Sequence, residues 1–151
     1  YYKIQQSRKA NNFGKTAVSK KEVSKIVENQ VKAPLNTRDS IKLDQDYTNK
    51  SLQSKDYTAA VDGYFAASST AYNAGDKAKA KNLLEQCIRD VPEKNINWYI
   101  YYNLAKIDKE LSDRNGEKSN LKIAFDKANA DANASQVTKD AMKSRLQELG
   151  N

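Results

Sequence analysis

The sequence predicts an all-α protein built from antiparallel helical hairpins, and three observations support this class. Apolar residues recur every three or four positions along most of the chain, and no stretch alternates as a strand does. Two Pro and five Gly in 151 residues are too few for a turn-rich β sandwich. The connections between helical stretches are short, so sequential helices should lie antiparallel. We therefore expect six helices after residue 39 and a short helix before it.

The first two helices should begin at polar capping residues. Ser19 and Glu22 have the spacing of a capping box, and Ala33-Pro34 ends the short amphipathic helix that follows. Asp39 or Ser40 can cap the next helix. The apolar face of that helix should carry Ile41, Leu43, Tyr47 and Leu52, and its wet face Asp44, Asp46, Asn49 and Lys50.

Glycine and aspartate separate the helices in the middle of the chain. A tight turn at residues 54–56 precedes an Ala-rich helix from Tyr57 to about Ala74. Gly63 inside this helix costs about 1 kcal/mol relative to Ala, so we expect it to permit close approach of a neighbouring backbone. Gly75-Asp76 should end that helix and cap the next, because Gly tolerates positive φ and Asp is a good N-cap.

The next two helices are separated by a proline. A helix from Lys77 to Asp90 should stop at Pro92, and Asn95 or Asn97 can cap a longer helix that runs through Leu111. That helix has two apolar stripes, which indicate packing on both sides. One stripe consists of Ile100, Leu104, Ile107 and Leu111, and the other of Trp98, Tyr101, Tyr102 and Ala105. We expect Trp98 to serve packing rather than ligand binding.

The last two helices should close the fold. A turn at residues 113–116 is followed by a helix from Glu117 to about Ala130, and Ser135 can cap the final helix. The polar outer face of that final helix is typical of a terminal capping helix. Its expected inward residues are Val137, Met142, Leu146 and Leu149.

The composition argues against catalysis. The chain has no His and a single Cys, which excludes an internal disulfide, His-dependent triads and most metal sites. Cys87 lies on an apolar helix face and should be a buried, inert thiol. The carboxylates of Asp108, Glu110 and Asp113 alternate with basic residues, as on a solvated helix face. We therefore expect no enzymatic activity, no cofactor and no metal.

Charge divides the chain into two predicted regions. Residues 1–39 hold nine basic and three acidic residues, a net charge of +6, and form a basic N-terminal arm with one short amphipathic helix. Residues 40–151 hold seventeen basic and sixteen acidic residues and form the helical domain. A basic arm suits anionic partners such as phospholipid head groups, an acidic protein face or, as the weaker alternative, nucleic acid.

The start of the chain suggests a location. Tyr1-Tyr2-Lys3 has the aromatic and basic character of the water-side edge of a membrane helix. We expect a membrane anchor upstream of Tyr1 with the helical domain in an aqueous compartment, and a cytoplasmic protein otherwise. The basic flank itself would favour the cytoplasmic side.

An internal repeat carries a resemblance to a known family. The stretch at residues 75–87 recurs 41 residues later at 116–128, each as a turn followed by a helix, with a fainter copy at 56–67. Residues 62–94 resemble a tetratricopeptide repeat. The positions that match are the early aromatic Tyr64, the turn Gly75-Asp76, the packing residues Ala80, Leu84 and Cys87, and the closing Pro92. The resemblance covers about two repeats and a cap within residues 56–151.

The resemblance implies a short right-handed solenoid of stacked hairpins with a C-terminal capping helix, and a concave groove that holds an extended peptide. The groove residues it implies are Phe65, Ser69, Tyr72, Asn73, Tyr99, Asn103 and Lys106. Only Asn103 and Lys106 are similar to the family's carboxylate-clamping set. The expected function is a non-enzymatic scaffold that binds a protein or peptide segment. The alternatives are attachment to an anionic surface or nucleic acid through the basic arm, and a self-assembling structural subunit.

Overall fold

The computed structural model describes residues 36–150, and every regular element in that part of the chain is helical. This confirms the all-α class and the six expected helices. They are α1 (Thr37–Gln53), α2 (Tyr57–Asn73), α3 (Lys77–Asp90), α4 (Trp98–Glu110), α5 (Arg114–Asn129) and α6 (Gln136–Glu148), with a 3₁₀ turn at Glu93–Asn95. The short helix expected near residues 19–33, and all but the last residues of the basic arm, lie outside the described residues.

The chain divides into two compact units, with the boundary between Asn95 and Ile96. The first unit contains α1, α2 and α3, and α2 packs against both of the others. The second contains α4, α5 and α6, and α5 packs against both of the others. Within each unit the extensive packing therefore joins helices that are adjacent in sequence.

Three turns between helices share one backbone geometry. In each, a residue with positive φ is followed by an aspartate, whose side chain accepts a hydrogen bond from the backbone N–H three residues later. The N–H of the positive-φ residue donates to the carbonyl three residues back, and that of the aspartate to the carbonyl five residues back. Each turn therefore ends one helix and caps the next. The three pairs are Lys55-Asp56, Gly75-Asp76 and Ser112-Asp113.

These turns correct the register of the internal repeat. Gly75-Asp76 corresponds to Ser112-Asp113, an offset of 37 residues rather than 41. The expected turn at residues 113–116 is therefore wrong, because α5 already begins at Arg114. The two registers differ by about one helical turn, which keeps the apolar face in place. Apolar spacing alone therefore cannot distinguish them.

The first helix differs from its prediction at its start and on its inner face. α1 begins at Thr37, where Asn36 is the N-cap and accepts from the N–H of Asp39 at 2.9 Å. The expected caps Asp39 and Ser40 are inside the helix. Asp44, expected on the wet face, is 0% exposed.

The inner face of α1 is polar because α2 approaches it closely. Thr48 and Ser51 are buried there, and their hydroxyls donate to the carbonyls of Asp44 and Tyr47, one turn back, at 2.7 and 2.9 Å. A Cβ atom placed on Gly63 of α2 would overlap the Thr48 side chain. This confirms that Gly63 permits a close approach, although the neighbour is a side chain rather than a backbone.

In the second unit a buried polar seam replaces part of the expected solvated face. Asp108 is fully buried, and its Oδ2 accepts from Asn120 Nδ2 of α5 at 2.8 Å. Glu117 is also buried, and Arg145 of α6 reaches its two carboxylate oxygens at 2.7 and 3.0 Å. The expectation of a solvated face is therefore wrong for Asp108, because α5 covers it. We call Asp108, Glu117, Asn120 and Arg145 the polar seam.

The final helix confirms most of its predicted inner face. Ser135 caps α6, and its hydroxyl oxygen accepts from the N–H of Thr138. Met142, Leu146 and Leu149 are buried, as expected. Val137 is 79% exposed, so its expected inward position is wrong. It lies in the first turn of α6, ahead of the stretch that carries the buried residues.

Candidate peptide-binding surface

The residues expected to line a groove divide between the two units. Those on α2 belong to the first unit and those on α4 to the second. On α2, Phe65 is 8% and Ser69 is 9% exposed, so these two offer little surface to a ligand. Tyr72 is half-buried, and Asn73 is exposed at the end of the helix. The accessible part of the α2 set is therefore its last turn.

The residues on α4 are more accessible. Tyr99 and Asn103 are half-buried and Lys106 is exposed. Asn103 Nδ2 donates to the carbonyl oxygen of Tyr99, one turn back, at 2.7 Å. This bond fixes the amide and leaves its side-chain oxygen to accept a hydrogen bond from a ligand.

Two further aromatic side chains join this set. Trp98 and Tyr102 are half-buried, and the Trp98 ring makes edge contacts with Tyr99 and Tyr102 at centroid distances of 6.0 and 5.7 Å. Lys106 Nζ lies 5.9 Å from the centroid of the Tyr102 ring. We call these five residues, Trp98, Tyr99, Tyr102, Asn103 and Lys106, the aromatic face.

The sequence assigns Trp98 and Tyr102 to a packing stripe and so misses two of the five residues of this face. The other two members of that stripe, Tyr101 and Ala105, are buried as expected. The spacing does not separate the two pairs, because each is followed four residues later by an exposed lysine, Lys106 or Lys109.

The start of α4 is held in place by polar contacts within the second unit. Lys127 of α5 donates to the carbonyl of Ile96 at 3.0 Å and lies 5.7 Å from the centroid of the buried Tyr101 ring. Asn97 is in the N-cap position of α4 and makes no side-chain cap bond, but its Nδ2 donates to Tyr99 Oη at 2.9 Å. These bonds position the first turn of α4, where the aromatic face begins.

Two titratable side chains in the core of the first unit have raised pKa values. Cys87 is fully buried, as expected, and burial followed by repulsion from Asp90 raises its pKa to about 12. The thiol is therefore protonated near neutral pH and is a poor nucleophile. Burial, followed by a 2.6 Å hydrogen bond to Asp90 Oδ2, raises the pKa of Tyr64 well above its usual range.

The described part of the chain shows neither a metal site nor a membrane-spanning helix. Residues 36–150 contain no group of three or more side chains placed to hold a metal ion. None of the six helices has the length and apolar content to cross a bilayer.

Comparison with known proteins gives no further assignment. No family model matches the chain, no curated protein matches it in sequence, and no solved structure matches it.

Proposed function

We propose that the protein is a non-enzymatic interaction module that binds a peptide or protein segment on the aromatic face of α4. The observation that supports this most is the contiguous row of partly exposed Trp and Tyr rings, which ends in an amide and a lysine on the same helix. Rigid aromatic rings supply large contact area at low entropic cost. Trp and Tyr are also the residues in which binding energy most often concentrates.

The chemistry of the face favours a particular kind of segment. The Trp98 and Tyr102 rings suit an apolar or proline side chain. The oxygen of Asn103 can accept from a peptide N–H, and Lys106 can meet a carboxylate. We therefore expect an extended segment that places an apolar residue on the rings and an acidic residue near Lys106.

We also propose that the hairpins stack as a short right-handed solenoid similar to tetratricopeptide repeats, with α6 as the cap. The shared geometry of the three turns supports a repeated unit. In this arrangement Tyr72 and Asn73 would extend the binding surface, and Phe65 and Ser69 would serve packing. Urea unfolding followed by circular dichroism tests the stack. Stacked hairpins give one cooperative transition, and two separate transitions would contradict the stack.

Peptide display with the full chain tests the binding function. A library of random twelve-residue peptides should yield a consensus with an apolar and an acidic position. Trp98 is the only tryptophan, so its fluorescence should shift when a selected peptide binds. Tyr102→Ala should weaken that binding at least about tenfold, because truncating a central aromatic anchor costs ~2 kcal/mol or more.

The matched control is Lys143→Ala on α6, an exposed residue away from the face. It should change the affinity less than about twofold. Selected peptides that leave Trp98 fluorescence unchanged, or that bind Tyr102→Ala as well as the unaltered chain, would contradict the proposal.

The charge asymmetry supports a second candidate function. The net charge of +6 on residues 1–39 favours attachment to an anionic surface such as a phospholipid membrane. Binding of the full chain to phosphatidylserine vesicles should then fall steeply as salt rises. Salt-independent binding would reject this function.

A self-assembling subunit is the third candidate, and a monomeric mass in solution would exclude it.

A further inference from the structure

A cleft lies in the first unit, whereas the aromatic face belongs to the second. It has a volume of about 660 Å³ and lies between α1 and the turn that joins α2 to α3. This volume is within the range of sites that hold small molecules or a short peptide segment. The lining residues are Thr37, Arg38, Ile41, Lys42, Gln45, Asp76 and Lys79.

The charges of the cleft favour an anion. Three cations and one carboxylate line it, and that carboxylate, Asp76, already accepts from the N–H of Lys79 at 3.0 Å to cap α3. Arg38 and Lys79 are exposed and form no ion pair among the described residues. Lys42 forms an ion pair with the exposed Asp46, and its Nζ lies 3.6 Å from Asp46 Oδ2. The cleft therefore presents positive charge that residues 36–95 of the first unit do not neutralise.

The cleft also has hydrogen-bonding character. Gln45 is half-buried, and its amide can donate and accept. Ile41 lines the cleft but is only 5% exposed, so it offers little apolar surface. A free phosphate would leave most of 660 Å³ unfilled, whereas a peptide segment with several carboxylates would occupy more of it.

We propose that this cleft binds an acidic peptide segment of a partner protein, with carboxylates of the peptide at Arg38 and Lys79. Arg38 offers a planar fork that matches a carboxylate, and Lys79 offers a point charge on the other side. Residues 1–35 of the basic arm are disfavoured as the occupant, because their eight basic and two acidic residues give the same sign of charge as the cleft.

The test is a titration of the full chain, followed by amide NMR, with the blocked peptide acetyl-Glu-Asp-Leu-Asp-Glu-amide. Its uncharged counterpart, acetyl-Gln-Asn-Leu-Asn-Gln-amide, is the probe control. The acidic peptide should shift amides of α1 and of the turn before α3, and the uncharged one should not. The double variant Arg38→Gln/Lys79→Gln should weaken binding about tenfold, since each partly exposed charge pair contributes up to ~1 kcal/mol.

The matched control Lys122→Gln/Lys143→Gln removes the same charge from exposed positions of the second unit and should change the affinity less than about twofold. Gln45→Lys should tighten binding about threefold by adding a cation to the lining.

Equal losses of affinity in the two double variants would overturn the proposal in favour of non-specific attraction to a basic protein. Displacement of the peptide by an equal concentration of inorganic phosphate, or by phosphatidylserine vesicles, would overturn it in favour of a simple anion or lipid site. None of these readouts uses Trp98, so failure here is distinguishable from failure of the aromatic face.

Discussion

The close contact between α1 and α2 predicts that Gly63→Ala destabilises the first unit, although Ala is the better helix former. Helix propensity alone would stabilise the variant by about 1 kcal/mol. The added Cβ would overlap Thr48 Oγ1 and lie 3.1 Å from Thr48 Cβ and 3.2 Å from Tyr47 Cδ2. Thr48 cannot yield easily, because its χ1 is stiff and its hydroxyl is bonded to a carbonyl of its own helix. Overpacking of this kind costs about 1–3 kcal/mol, so the net loss after the gain in helix propensity should be up to about 2 kcal/mol.

A double-mutant cycle isolates the contact. Thr48→Ala removes the overlapping oxygen, so Gly63→Ala should cost little or even stabilise in that background, with a coupling energy of at least about 1 kcal/mol. Thr48→Val is the matched control, because it keeps the branched shape and should not rescue. The measurement is urea unfolding of each variant by circular dichroism. The reasoning fails if Gly63→Ala alone raises stability, or if Thr48→Val rescues as well as Thr48→Ala.

Three further predictions concern the turns, the polar seam and the alkaline limit. Ser112→Gly should raise the free energy of unfolding by about 0.5–1 kcal/mol, and Gly75→Ala should lower it by about 1–2 kcal/mol, because both positions require positive φ. Thermal unfolding of the two variants measures both changes, and changes of the same sign would contradict this reasoning. Glu117→Gln should lower the thermal unfolding midpoint by at least about 4 °C, because it weakens the ion pair between Glu117 and Arg145 of α6. Neutralising an exposed carboxylate of α6 should lower the midpoint by less. Burial raises the pKa of Cys87 from 9.0 and that of Tyr64 from 10.0, so their contribution to stability is complete below about pH 9 and is lost as the pH rises further. The denaturant midpoint should therefore fall above about pH 9, and less steeply in Tyr64→Phe. A midpoint that stays constant up to about pH 11 would refute this prediction.

The parts of the fold that local signals specify could be predicted from the sequence. Asp76 and Ser135 cap helices where the pattern places them, and Met142, Leu146 and Leu149 of the last helical segment are buried as expected. A cap needs only the chemistry of a few consecutive residues. Helix number, helix type and most boundaries therefore follow from short windows of sequence.

The parts that depend on distant partners could not be predicted. Asp44 and Asp108 are polar residues in amphipathic helices, and the sequence gives no sign that a second helix covers them. The predicted register of the repeat was wrong because a shift of one helical turn preserves the apolar face. A serine such as Ser112 also does not indicate a positive φ as a glycine does. A similar ambiguity affected the α4 surface, where the buried Tyr101 lies on the same helix as the half-buried Trp98 and Tyr102.

The packing of each helix mainly on its neighbour in sequence has a kinetic consequence. Chains whose contacts are local close only short loops to reach the folded state, and such proteins fold on the scale of microseconds to milliseconds. In each unit of this protein, the helices pack mainly on their neighbours in sequence. A nascent chain could therefore assemble one helix after another as synthesis proceeds, with little time for its apolar surfaces to meet those of other molecules.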